Sequence, residues 1–213
     1  MNSPSQKTLG AILYPNFELL DLYGPLEMFG SLDGACQIIT VADAVGPVAS
    51  TQGPQTVAEH SYADCPPLDL ILLPGGVGTI AELDNENLLD FLRDRSRTAE
   101  YTMSVCSGSA ILARAGLLDG RRATSNKQVF KLASMQSDKV DWVTQARWVE
   151  DGPFVTASGV SAGTDMALGV ISNLYGEERA QSVADFTEYQ WHRDANSDPF
   201  VQYLNAIDLD ALM

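Results

Sequence analysis

Short, continuous apolar runs alternate along the chain with longer stretches in which apolar residues recur every three or four positions. The first pattern marks strands buried on both faces, and the second marks helices with one buried stripe. Runs at residues 9–13, 36–42, 68–73, 101–105 and 154–157 predict strands, with two shorter ones at 140–143 and 146–149. Segments 47–51 and 55–59 flank Gly53-Pro54 and predict a hairpin. Helical spacing covers 87–97, 110–115, 128–135, 163–175 and 177–191, with a break at Gly176. An apolar stretch at 19–29 is interrupted by Gly24-Pro25, so its helix is placed from Pro25, a residue suited to a first turn, with Asp21 in an irregular turn before it. Strands alternating with helices predict an α/β domain with a flavodoxin-like, doubly wound, mostly parallel sheet and helices on both faces. Its ligands would sit at the carboxyl ends of the strands.

Composition narrows the function more than the fold. The 213 residues suffice for one domain, expected over residues 8–185, with a flexible tail at 1–7 and a C-terminal extension at 186–213. Tyr189, Trp191 and Phe200 cluster in that extension, so it is expected to pack on the domain or on a partner subunit. A net charge of −15 repels phosphate backbones and argues against nucleic acid. No apolar run reaches membrane-span length and the start lacks a signal-like apolar region, so a cytoplasmic location is expected. Cys36, Cys65 and Cys106 are too far apart for a disulfide framework or metal knuckle, and His60 and His192 form no ligand pair, so no metal site is expected.

Two strand ends carry chemistry. Val105-Cys106-Ser107-Gly108-Ser109 puts a thiol between a buried strand and a helix, where small neighbours allow a sharp turn that exposes the side chain. The following helix N-terminus would favour thiolate. A buried structural cysteine is the alternative reading. Pro74-Gly75-Gly76 ends another strand, with amides able to meet developing negative charge, although such loops are common. Gly75, Gly76, Ser107 and Val160 are therefore the candidate oxyanion and substrate-binding positions; the stretch around Val160 reads equally as a plain strand-to-helix loop.

These segments, together with Leu20-Asp21-Leu22-Tyr23-Gly24-Pro25, residues 115–124 and Ser161-Ala162-Gly163-Thr164-Asp165, resemble the ThiJ/PfpI superfamily, related in fold to class I glutamine amidotransferases. Within it the chain is most similar to isonitrile hydratases. The resemblance implies a cofactor-independent homodimeric enzyme acting on a small molecule, with Cys106 as nucleophile and Asp21 as proton donor. It would add water to an isonitrile, giving an N-substituted formamide through a thioimidate. A cap before Pro25 is the other reading of Asp21, and Glu18 is a competing acid. Glyoxalase or deglycase chemistry on reactive carbonyls, or a non-enzymatic redox sensor, are the alternatives on the same scaffold.

The chain departs from relatives at three places. Ser107 stands where protease-like members carry histidine, Asn126-Lys127 where many hydratase-like and regulator-like members do, and the ending from Glu188 to Phe200 is unlike typical hydratases. Lys127 and Lys131 read as a solvated helix face, His60 as part of an exposed hairpin and His192 as a helix end. Cys36 and Cys65 read as inert. Trp142, Trp148 and Trp191 read as core or interface.

Overall fold

A computed structural model describes residues 6–209. The chain forms β1 (Lys7–Ile12), α1 (Leu19–Gly30), β2 (Cys36–Ala42), a hairpin of β3 (Gly46–Ala49) and β4 (Gln55–Ala58), and β5 (His60–Ser61). It continues with β6 (Leu70–Leu73), α2 (Thr79–Glu82), α3 (Glu86–Arg95), β7 (Tyr101–Ser104) and α4 (Gly108–Arg114). Then come β8 (Arg122–Ala123), α5 (Phe130–Ser134), β9 (Asp141–Trp142), β10 (Trp148–Asp151), β11 (Phe154–Ala157), α6 (Ala162–Tyr175) and α7 (Glu177–Phe186). Of the tail expected at 1–7, residues 1–5 lie outside the described part, and Lys7 already belongs to β1.

The main sheet has seven strands in the order β10-β11-β7-β6-β1-β2-β5. Every pairing is parallel except β10 with β11. This is the mostly parallel α/β architecture that the alternation of apolar runs and helical stretches predicts. Central β6 is buried at every residue, as a strand covered on both faces must be. From β1 the chain moves outward through β2 to β5, then returns to lay β6 on the other side of β1 and proceeds to β7 and β11. The order therefore reverses between β1 and β6, and the loops leaving those strands diverge to open a crevice.

The structure corrects the reading of Gly24-Pro25. α1 starts at Leu19, six residues before Pro25, and runs through the proline, so Asp21 lies in its first turn. Pro25 cannot donate to the Asp21 carbonyl, a cost normally enough to break a helix. Packing offsets it. A Cβ on Gly24 would stand 2.6 Å from Thr164 Oγ1, and one on Gly163 would stand 3.2 Å from Pro25 and 2.7 Å from Val105. The two glycines let α1 lie close against α6, with Gly24 and Pro25 buried between them.

The end of α7 also differs. It stops at Phe186 rather than at residue 191, because the next residues are bound elsewhere. Glu188 adopts a left-handed φ of 50°. Beyond it the Tyr189 hydroxyl and the His192 amide donate to the Asp165 carboxylate at 3.1 and 2.8 Å, and Trp191 Nε1–H donates to the Asp165 carbonyl at 3.2 Å. Arg147 Nε donates to the same carboxylate at 2.7 Å. His192 is thus past the helix, and His60 sits on edge strand β5 rather than in the hairpin.

Candidate active site

Three segments meet at the crevice: the first turn of α1, after β1, carrying Asp21; the loop after β6 carrying Pro74-Gly75-Gly76; and the turn after β7 carrying Cys106. Cys106 takes a left-handed φ of 57°, a strained conformation for a residue with a side chain. The surroundings hold it there. Its N–H donates to the Ser158 carbonyl at 2.8 Å, and its own carbonyl accepts from Ser109 Oγ and Ser125 Oγ, both at 3.1 Å. The turn is backed by Gly75, where a Cβ would sit 2.6 Å from Ser107 N and 2.9 Å from Cys106 Cβ. Only hydrogen fits.

Asp21 is fully buried. Its Oδ2 accepts the Gly75 N–H at 2.9 Å, and Oδ1 has no hydrogen-bond partner within the described residues. Burial pushes the Asp21 carboxyl well above the usual carboxylate range, against the lowering influence of the Gly75 amide. Burial likewise pushes the Cys106 thiol up, and the Asp21 charge pushes it further. This reverses the expectation that the helix N-terminus holds the cysteine as thiolate. α4 begins two residues later, at Gly108, and its dipole is outweighed by desolvation and by a neighbouring acid. The two groups form a coupled pair in which ionising one opposes ionising the other.

Asn126 completes the arrangement. Its Oδ1 accepts from the Gln128 and Val129 amides at 2.8 and 3.4 Å, which leaves Nδ2 to donate to Cys106 Sγ at 3.1 Å. The position singled out as lacking a histidine thus carries an amide N–H directed at the sulfur. An amide keeps this donor at every pH, whereas an imidazole would titrate.

The amides of Gly75 and Gly76 do not face the cleft as free donors. The Gly75 N–H is held by Asp21, and the Gly76 N–H donates to Ser107 Oγ at 3.1 Å. From there a buried chain runs inward: Ser107 Oγ meets Thr79 Oγ1 at 2.8 Å, which meets the Tyr14 hydroxyl at 3.1 Å. Tyr14 in turn donates to the Pro74 carbonyl at 2.8 Å. Because Tyr14 has a single proton, each hydroxyl in the row has a defined donor direction, and the row fastens the glycine loop to the cysteine turn. Nothing in the sequence pattern marks Tyr14 or Thr79, since a tyrosine just past a strand and a threonine starting a short helix carry no signature.

Above the sulfur lies a cleft of about 230 Å³ lined by Cys106, Ser107, Gly76, Asn126 and Val160 and walled by apolar Val77, Ile80, Leu132 and Ile207. Glu18 lines it as well, its carboxylate held by Gln52 Nε2 at 2.7 Å. Gly75 lies behind rather than in this wall. Asn126, Gln128 and Val160 also line a second lobe of about 240 Å³, whose floor includes Lys127, Arg147 and Ser158.

The structure also corrects the reading of Lys127. It is not a solvated lysine: its ammonium donates to the Ala146 carbonyl at 2.6 Å and to Thr124 Oγ1 at 2.8 Å, and pairs with Asp198 at 3.5 Å. Both side chains of the pair are 1% exposed. Burial pushes the Lys127 amine down to about 8, opposed by Asp198. Lys127 precedes α5, which begins only at Phe130, so helical periodicity misjudged its direction. Lys131, by contrast, is exposed. Of the other cysteines, half-buried Cys36 is pushed up to about 11 by burial, and Cys65 is pushed up by burial too. Neither they nor the histidines line the cleft. Trp148 is buried, and Trp142 meets Phe130 edge-on at 5.8 Å. Among the described residues no cluster of three or more potential metal ligands occurs, and no helix is long and apolar enough to cross a membrane.

Residues 8–173 match the DJ-1/PfpI family. The chain belongs to that family. It is 37% identical over 186 residues to the isonitrile hydratase of Pseudomonas putida, an alignment covering 85% of this chain and 78% of that protein. It is 29% identical over 191 residues to the HTH-type transcriptional regulator GbdR of Pseudomonas aeruginosa, but spans only 51% of the regulator's length. Among solved structures, a ThiJ/PfpI family protein from Pseudomonas syringae superposes with a TM-score of 0.79 at 35% identity, over 87% of this chain and 76% of that one. Drosophila melanogaster DJ-1beta shares the fold at a TM-score of 0.77 and 21% identity, over 87% of this chain and all of that one.

Proposed function

We propose that this protein is an isonitrile hydratase that uses Cys106 as nucleophile and Asp21 as proton carrier. The observation that carries the reading is the buried Asp21–Cys106 pair beside an apolar cleft, where burial opposes ionisation of both groups and the Asp21 charge opposes it further at the thiol; the mechanism gives the pair one proton in common. The family membership and the likeness to a hydratase support it. An isonitrile carbon accepts both a nucleophile and a proton. Sulfur attacks that carbon while the shared proton passes to it from Asp21, giving a thioimidate, R–N=CH–S–Cys106, and an Asp21 carboxylate. Asn126 Nδ2–H steadies the charge on sulfur as the proton leaves. The carboxylate then takes a proton from water as the water oxygen bonds to the same carbon, and hands that proton to nitrogen. When the C–S bond breaks, the hydroxyl proton returns to the pair and an N-substituted formamide departs. Atoms balance: one water is consumed and the shared proton is restored.

Steady-state turnover of a small alkyl isonitrile, read as formamide, tests the assignment. Cys106→Ala should abolish it, Asp21→Asn should lower it by about 10²–10⁴, and Asp21→Glu should retain part. Full activity in a folded Asp21→Asn protein would remove Asp21 from the mechanism.

A further inference from the structure

Part of the wall of the cleft comes from far along the chain. Ile207 lines the cavity above Cys106, and Phe200 lines the adjoining lobe. Both lie beyond the family match, which ends at residue 173. Their segment is not loosely draped. Asp198 is buried against Lys127, and its own N–H donates to the Gln145 carbonyl at 2.9 Å. The Asn205 and Ile207 amides donate to the Lys127 and Gln128 carbonyls at 2.7 and 3.1 Å. Asn205 Oδ1 accepts the Lys131 amide at 2.7 Å, and Leu209 is buried with Ala110, Leu132 and Ala133. All three backbone partners in 127–131 directly follow Asn126, the residue on the sulfur. The segment and the nucleophile's hydrogen-bond donor are thus tied to one stretch of chain.

We infer that the C-terminal segment is the outer wall of the catalytic cleft and that Ile207 determines how large an N-substituent the site admits. The inference rests on the hydratase reading for the substrate's identity, but not for the geometry. At about 230 Å³ the cleft lies below the roughly 300–1,000 Å³ of common ligand sites, so trimming or enlarging one aliphatic side chain in its wall changes its capacity appreciably. Ile207 lines the cleft yet is 39% exposed, so it stands at the rim. The cleft offers an N-substituent mainly aliphatic partners, so the favoured substrates carry a compact apolar group on nitrogen.

Two measurements on wild type, Ile207→Ala and Ile207→Trp decide the matter. The first is the rate of Cys106 alkylation by iodoacetamide and by a bulky N-aryl iodoacetamide, read by peptide mass. The second is kcat/KM for a small and a bulky alkyl isonitrile. Taking the ratio of bulky to small cancels any change in the thiol itself. Ile207→Ala should raise both ratios at least about tenfold, the range a pocket discriminates for small changes in apolar bulk. Ile207→Trp should lower them. Alkylation ratios that stay at the wild-type value in both folded variants would overturn the wall. Should the wild type hydrate no isonitrile, the hydratase reading falls, and the alkylation ratios alone still decide the role of Ile207.

Discussion

Removing the Asn126 side chain tests the least expected part of the site. The Asn126→Ala protein loses the 3.1 Å donor to Cys106 Sγ and the Oδ1 acceptor of the Gln128 and Val129 amides. A hydrogen bond to a group that becomes charged contributes about 1.5–3 kcal/mol. At roughly 1.4 kcal/mol per decade of rate, its loss predicts a fall of about 10- to 150-fold in kcat/KM. The lost acceptor at the start of a helical turn costs about 1 kcal/mol of stability. Asn126→Asp separates the two effects. It keeps an oxygen for both amides, so stability should stay near wild type, yet it puts a carboxylate against the developing thiolate and should lower kcat/KM at least as far as alanine does. The assay is formamide formation alongside urea denaturation of each variant. Asn126→Ala turnover within twofold of wild type, in a folded protein, would refute the assignment of a donor role to the amide.

Two further outcomes follow from the buried charges. Because burial raises the Asp21 carboxyl above its ordinary 3.8, the stability it contributes is complete below that pH and is lost as pH rises through the raised value; Asp21→Asn should therefore melt higher than wild type near neutrality, with the gap closing in acid. Lys127→Met strands the buried Asp198 carboxylate and should cost about 3–5 kcal/mol by urea denaturation, of which a second change, Asp198→Leu, should recover a part.

The sheet was legible because its central strands are uninterrupted apolar runs, and β2 falls on the very residues where the pattern places it. The Cys106 turn was legible from its small neighbours. What escaped depends on tertiary contact. Local rules start a helix at Pro25, but the close approach of α1 and α6 at Gly24 and Gly163 carries it back to Leu19. Periodicity sends Lys127 to solvent, whereas an acid 71 residues later draws it inward. A Pro-Gly-Gly loop shows that amides are present but not whose oxygen they meet, and here Asp21 and Ser107 take them. The sign of the cysteine's shift was also out of reach, since it depends on how deeply the turn is buried and on which acid lies beside it.

The raised thiol has a consequence for the protein between turnovers. Peroxides consume thiolates far faster than thiols, and over-oxidation past sulfenic acid is largely irreversible. A site that kept its cysteine permanently ionised would be exposed to that damage for as long as it waited. Here burial and the Asp21 charge oppose ionisation of the thiol, and in the proposed mechanism the pair releases its proton only to the substrate carbon. On the proposed mechanism the nucleophile therefore rests protonated, and the pairing that arms it also slows its oxidation.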